Sequence, residues 1–190
     1  MRALGMFVVR LPKKFKDTIS IAGQEMYLAS KFDEFGNRIN YAEIVSTPAR
    51  HEVGANPGDI LYFHHHVCVE KSLHLEDDLY MVRYDPNGGY GSHAYAYETP
   101  SGEIHMLSDW VFVEQPQKVT EKIVEGIIIL EEDKDADHGF IRYANKELAY
   151  LGAKVGDKVY FSKHSDYAME VKGETLWRMR NDDLLYVRNA

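Results

Sequence analysis

Residues Pro57-Gly58-Asp59-Ile60-Leu61-Tyr62-Phe63 return later in the chain as Val155-Gly156-Asp157-Lys158-Val159-Tyr160-Phe161. This internal repeat constrains the fold more than any other feature. A solenoid needs about three or more stacked units, so two copies point instead to two related β-domains or one pseudo-symmetric domain. Each copy is followed by a second shared phrase. In the first it is Gly102-Glu103 with Asp109-Trp110-Val111-Phe112-Val113, and in the second Gly173-Glu174 with Asp183-Leu184-Leu185-Tyr186-Val187. The Gly-Asp pairs themselves read as structural turns. Glycine accepts the turn dihedrals, aspartate bonds the local backbone, and the apolar run behind them enters a core.

Strand signals dominate the rest of the chain. Short runs rich in β-branched and aromatic residues lie at 6–9, 41–45, 60–63, 79–82, 110–113, 127–130, 159–161 and 184–187, separated by turn residues. Helical periodicity is scarce, and residues 145–151 have room for one helical turn. A much longer stretch separates Gly58 from Gly102 than Gly156 from Gly173. It contains a strand-like 79–84 followed by Asp85-Pro86-Asn87-Gly88-Gly89, a strong turn signal, and reads as a hairpin inserted near 68–96. The domain boundary is expected near 114–118, giving domains of 1–114 and 115–190.

Bulk properties exclude several classes. A formal charge of −8 argues against nucleic-acid binding, which rests on a basic surface. The single cysteine, Cys68, allows no intrachain disulfide and fits a reducing compartment. The apolar stretch at the N-terminus stops at Arg10, too short for a signal-peptide core, and no segment reaches the roughly 18 apolar residues of a membrane span. A cytoplasmic protein without membrane partners is expected.

The ordered set of motifs resembles the GroES-type co-chaperonin family. Residues 109–189 follow the family order: an opening strand Trp110-Val111-Phe112-Val113, a loop over 117–125 ending in Gly126-Ile127-Ile128-Ile129-Leu130, a strand at 139–144, the Val155-Gly156-Asp157 turn with its strand, and a closing strand at 184–187. Residues 2–113 fit the same order more loosely. Their long polar stretch 13–40 stands where the loop would be, and Gly23-Gln24-Glu25-Met26-Tyr27-Leu28 is a poor version of its hydrophobic end. Asp109 to Val113 would close one unit and open the next, or lie between them. The departures, Glu125-Gly126 in place of a double glycine and the insertion, are more like a phage-encoded or organellar tandem form than a bacterial housekeeping copy.

The resemblance implies an all-β protein of two GroES-like, partly open β-barrels in tandem, the first carrying the inserted hairpin. It implies a co-chaperonin that caps a GroEL-type chaperonin ring and assists ATP-dependent folding. The contact would be made by Gly126, Ile127, Ile128, Ile129 and Leu130, with a second loop at Gly23, Met26, Tyr27 and Leu28. It also implies a homo-oligomeric ring, typically a heptamer, with the strands at 184–187 and 6–9 as candidate edges. ATP hydrolysis belongs to the partner. No cofactor is expected, no phosphate-binding glycine loop is present, and the chain reads as no enzyme. If phage-encoded, it would act in the host cytoplasm. Read without the resemblance, Gly126-Ile127-Ile128-Ile129-Leu130 is equally an ordinary buried strand.

Two further readings remain. The barrel serves a structural or binding module, such as a virion component, or His64-His65-His66 builds a metal-dependent enzyme. Against the second, consecutive residues on a strand alternate faces, so at most two of the three rings would converge. His51, His74, His93 and His105 fall in no recognised ligand spacing with them, so no metal site is expected. The acidic run 133–137 lacks the glycine and the terminal glutamate of a calcium loop.

Overall fold

The computed structural model describes residues 2–21, 24–27, 37–89, 91–114, 119–124, 127–132, 137–162 and 167–188. The chain divides into two compact units, Met1–Asp109 and Trp110–Ala190.

In the first unit, β1 (Met6–Arg10) is followed by β2 (Thr18–Ile21), β3 (Gln24–Tyr27), β4 (Tyr41–Ser46), β5 (Ile60–Phe63), β6 (Leu79–Arg83), β7 (Ala94–Glu98) and β8 (Ile104–Met106). Six of these form an antiparallel sheet in the order β6-β1-β4-β5-β7-β8, and β2 pairs with β3 in a separate two-stranded sheet. Phe7, Val9, Ile44, Leu61, Phe63 and Val82 meet in its core.

The second unit runs β9 (Trp110–Glu114), β10 (Val119–Val124), β11 (Ile127–Glu132), β12 (His138–Tyr143), the short helix α1 (Lys146–Tyr150), β13 (Lys158–Phe161), β14 (Tyr167–Val171), β15 (Glu174–Arg180) and β16 (Leu184–Arg188). Its sheet order is β14-β15-β9-β12-β13-β16, with β10 and β11 again a separate pair. Val111, Val113, Ile141, Val159, Phe161 and Met179 form the matching core. The expected helical turn is α1, capped by the Asn145 side chain, which accepts from the Leu148 N–H at 2.9 Å. The protein is all-β, as two tandem GroES-like barrel units require.

The Gly-Asp turns repeat almost atom for atom. Gly58 and Gly156 have φ of 96° and 92°, where a side chain would be strained. The Gly58 N–H donates to the Ile44 carbonyl and the Gly156 N–H to the Ile141 carbonyl, both at 2.8 Å. Asp59 and Asp157 are buried, and each carboxylate accepts from the backbone N–H three residues earlier, Asn56 or Lys154, at 2.8 Å.

Pairing registers extend the match and correct four expectations. The first concerns the second phrase of the repeat. β9 pairs with β12 and β15, so it opens the second unit, and the boundary falls between Asp109 and Trp110 instead of at 114–118. The counterpart of β16, which lies beside β13, is β7 beside β5. Second, β6 belongs to no inserted hairpin. It crosses to pair with β1, Phe7 opposite Val82, as β15 pairs with β9, Val111 opposite Met179. The added pieces of unit one are the 3-10 turns at His65–Cys68 and Lys71–Leu73 and the strand β8, hairpinned to β7. Third, β1 is an interior strand and no edge, whereas β16 does stand at a sheet edge. Fourth, the three histidines do not continue β5: the chain leaves the strand after Phe63 and turns into the 3-10 segment.

Candidate functional site

The two hairpins occupy the same place in each unit, between the opening strand and the strand that pairs with it. β2 and β3 lie between β1 and β4, and β10 and β11 between β9 and β12. β10 pairs with β11 from Val119 opposite Glu132 through Lys122 opposite Ile129 to Val124 opposite Ile127. Ile127, Ile128, Ile129 and Leu130 are thus strand residues, but of a two-stranded sheet outside the six-stranded one. The run has the strand character read from its composition and, among the described residues, no backbone pairing to the main sheet. Gly126 lies outside the described residues. In β3, Met26 and Tyr27 are 51% and 86% exposed, while Gly23 and Leu28 lie outside the described residues.

The histidines gather where β5, the 3-10 turn and β7 meet. His64 caps the turn, its Nδ1 accepting from the His66 N–H at 3.1 Å. One ring nitrogen from each of His64, His65 and His66 lies within 4.8 Å of the others. The chain turns here instead of continuing the strand, and the three rings stand 4.3–4.5 Å from one another. His65 is buried and His66 exposed. The His64 N–H donates to the His93 carbonyl at 2.9 Å, and their rings stand 5.5 Å apart. The Glu70 carboxyl is held below the ordinary glutamate range, chiefly by the Ser72 hydroxyl at 2.6 Å. Partial desolvation opposes this, and Arg83, His93 and His66 add smaller pulls in the same direction as Ser72. His51, His74 and His105 are elsewhere, packed on Tyr84, Tyr80 and Tyr97. Residues 133–136 of the acidic run lie outside the described residues. Cys68 is buried, its thiol on the His65 carbonyl at 3.1 Å.

A family model for the chaperonin 10 kd subunit matches residues 103–187, which contain β9 to β15 and all but the last residue of β16. The chain is 36% identical over 73 residues to a co-chaperonin GroES of Paracidovorax citrulli, covering 38% of this chain and 69% of that protein. The chain belongs to the GroES-type co-chaperonin family. It is also similar to the co-chaperonin GroES of Legionella jeonii, 35% identical over 86 residues, 45% of this chain and 80% of that one. A third relative, from Acidithiobacillus ferrooxidans, is 39% identical over 72 residues, 38% of this chain and 69% of its own length. The family match covers the second unit and begins in the first at residue 103, taking in β8. Residues before 103 lie outside it, and the first unit shares the GroES-type frame through its turn, its registers and its hairpin. No helix among the described residues is long and apolar enough to cross a membrane.

Proposed function

We propose that this chain is a co-chaperonin lid: a homo-oligomeric ring that docks on a GroEL-type chaperonin in the cytoplasm and assists its ATP-driven folding cycle. The observation that carries the reading is the β10–β11 hairpin. In a chain of this family, it sets Ile127, Ile128, Ile129 and Leu130 in a strand that pairs with β10 outside the main sheet. These residues, with Gly126, are the proposed contact. The β2–β3 hairpin, with Gly23, Met26, Tyr27 and Leu28, is a second contact, supported by the exposure of Met26 and Tyr27. Each hairpin contact is small, and ordering it costs part of its binding energy. A ring recovers affinity by presenting many such contacts at once, and weak single contacts allow release when the chaperonin changes state. The chemistry of nucleotide hydrolysis stays with the partner, and this chain acts by binding.

The test is capture by a chaperonin in the presence of nucleotide, wild type against Ile128→Asp. Capture is expected to vanish while far-UV circular dichroism stays unchanged. Equal capture sinks the loop assignment, and loss of folding with that substitution assigns the strand to the core. Tyr27→Asp is expected to weaken capture without abolishing it.

A further inference from the structure

In the first unit, His64, His65 and His66 each bring a ring nitrogen within 4.8 Å of the others. We propose that His64, His65 and His66 form a site for a divalent transition-metal cation of the zinc and nickel class, with His93 beside it. The inference does not depend on the lid reading.

The chemistry fits in three respects. Imidazole nitrogen is a preferred donor for zinc, copper and nickel, and three such donors leave a fourth position for water or a further ring. The three ligand nitrogens lie within 4.8 Å of one another. Tetrahedral zinc with bonds of about 2.0–2.1 Å holds its ligand atoms about 3.3–3.4 Å apart. Binding therefore needs a contraction of up to about 1.5 Å, made by side-chain rotation with the exposed His66 as the movable partner. The buried His65 gives the site a fixed wall, and the bond from the His64 N–H to the His93 carbonyl fixes the backbone behind it. The corresponding stretch after β13 begins Ser162-Lys163-His164, so the donor set belongs to the first unit alone.

In the metal-free chain the His64 Nδ1 is occupied by the His66 N–H. A cation taken at that nitrogen displaces this capping bond, and one taken at Nε2 shifts the ring proton to Nδ1, which displaces it too.

The experiment is equilibrium dialysis of the full chain against Zn²⁺ alone, with bound zinc counted by mass spectrometry. About one ion per chain is expected at micromolar zinc, with a raised melting temperature that a chelator reverses. His66→Gln, at an exposed position that leaves the fold intact, is expected to weaken binding by about tenfold or more. His64→Gln should do the same, and His105→Gln should change nothing. No zinc bound above a protein-free control overturns the site. So does unchanged binding in both His66→Gln and His64→Gln, or an equal loss in His105→Gln.

Discussion

The two units share one frame and differ in where each has grown. Strands β6-β1-β4-β5-β7 of the first correspond in order to β15-β9-β12-β13-β16 of the second. The sixth strand is added at opposite ends: β8 beyond β7 in one, β14 beyond β15 in the other. The shared frame includes irregularities. β1 shifts register against β4 between Val8 and Val9, and β12 shifts against β9 between Ile141 and Tyr143. β5 and β13 both shift before their final phenylalanine, Phe63 and Phe161. Bulges re-aim strands and close barrels, so their repetition ties the two units to one design more firmly than matching residues do. The differences then mark where each unit is free to specialise.

The sharpest test of the match uses opposite substitutions at paired positions. Ala42 and Gly139 occupy the same register, opposite Leu61 and Val159. A Cβ on Gly139 would stand 2.5 Å from Val113 Cγ1 and 2.7 Å from the Glu114 carbonyl oxygen, so the neighbouring strand leaves no room for it. Gly139→Ala should cost about 3 kcal/mol by overpacking, whereas Ala42→Gly should cost about 1 kcal/mol through backbone entropy. Both tryptophans, Trp110 and Trp177, lie in the second unit, so their fluorescence in a urea titration reports that unit while circular dichroism reports both. A neutral Gly139→Ala would break the register on which the comparison stands.

Asn145→Ala comes next. The side chain caps α1, donates to the Trp110 carbonyl at 3.0 Å and bonds Asn181 at 2.7 Å. Its loss should destabilise the second unit by about 2 kcal/mol, visible in the tryptophan signal. Asp59→Ala and Asp157→Ala should each cost about 1 kcal/mol, because a part-buried backbone N–H loses its acceptor. The two costs should agree closely, and a large inequality in denaturant midpoints would show that the turns are alike in shape but not in weight.

The smallest effect concerns pH. Glu70 has a lowered pKa in the folded chain, first through Ser72. Its contribution is therefore present above the ordinary glutamate range and fades as pH falls through the folded value. Glu70→Gln should make the first unit slightly less stable near neutrality and leave it level with wild type in acid, as read by circular dichroism melts. The side chain is 35% exposed, so solvent screening keeps the difference small.

Much of this frame was legible in the residues. All eight runs read as strands from β-branched and aromatic content form strands, and both Gly-Asp pairs make the expected turn. What escaped was pairing between distant segments. A strand followed by Asn-Gly-Gly suggests a hairpin with the next strand, because sequential neighbours usually pair. β6 instead crosses to β1, and no local residue signals that choice. β7, Ala-Tyr-Ala-Tyr-Glu, lacks the Leu-Leu-Tyr-Val run that marks its counterpart β16, so the second phrase of the repeat reads as β9 instead. The hairpin that carries the proposed contact was visible as an apolar run. Its separation from the main sheet was not, since a run of isoleucines reads alike in either place. The histidine convergence was missed for a similar reason: the chain changes from strand to 3-10 turn at a position with no glycine or proline to mark it.

The amide hydrogens of Gly58 and Gly156 have a use beyond architecture. Each donates to an isoleucine carbonyl at 2.8 Å. Once their exchange is corrected for the different preceding residues, Pro57 and Val155, their deuterium uptake compares the free energy with which each turn opens. The duplicated turn is a pair of internal clocks, one per unit. Equal corrected rates mean the two turns open at equal cost, and unequal rates say which gives way first.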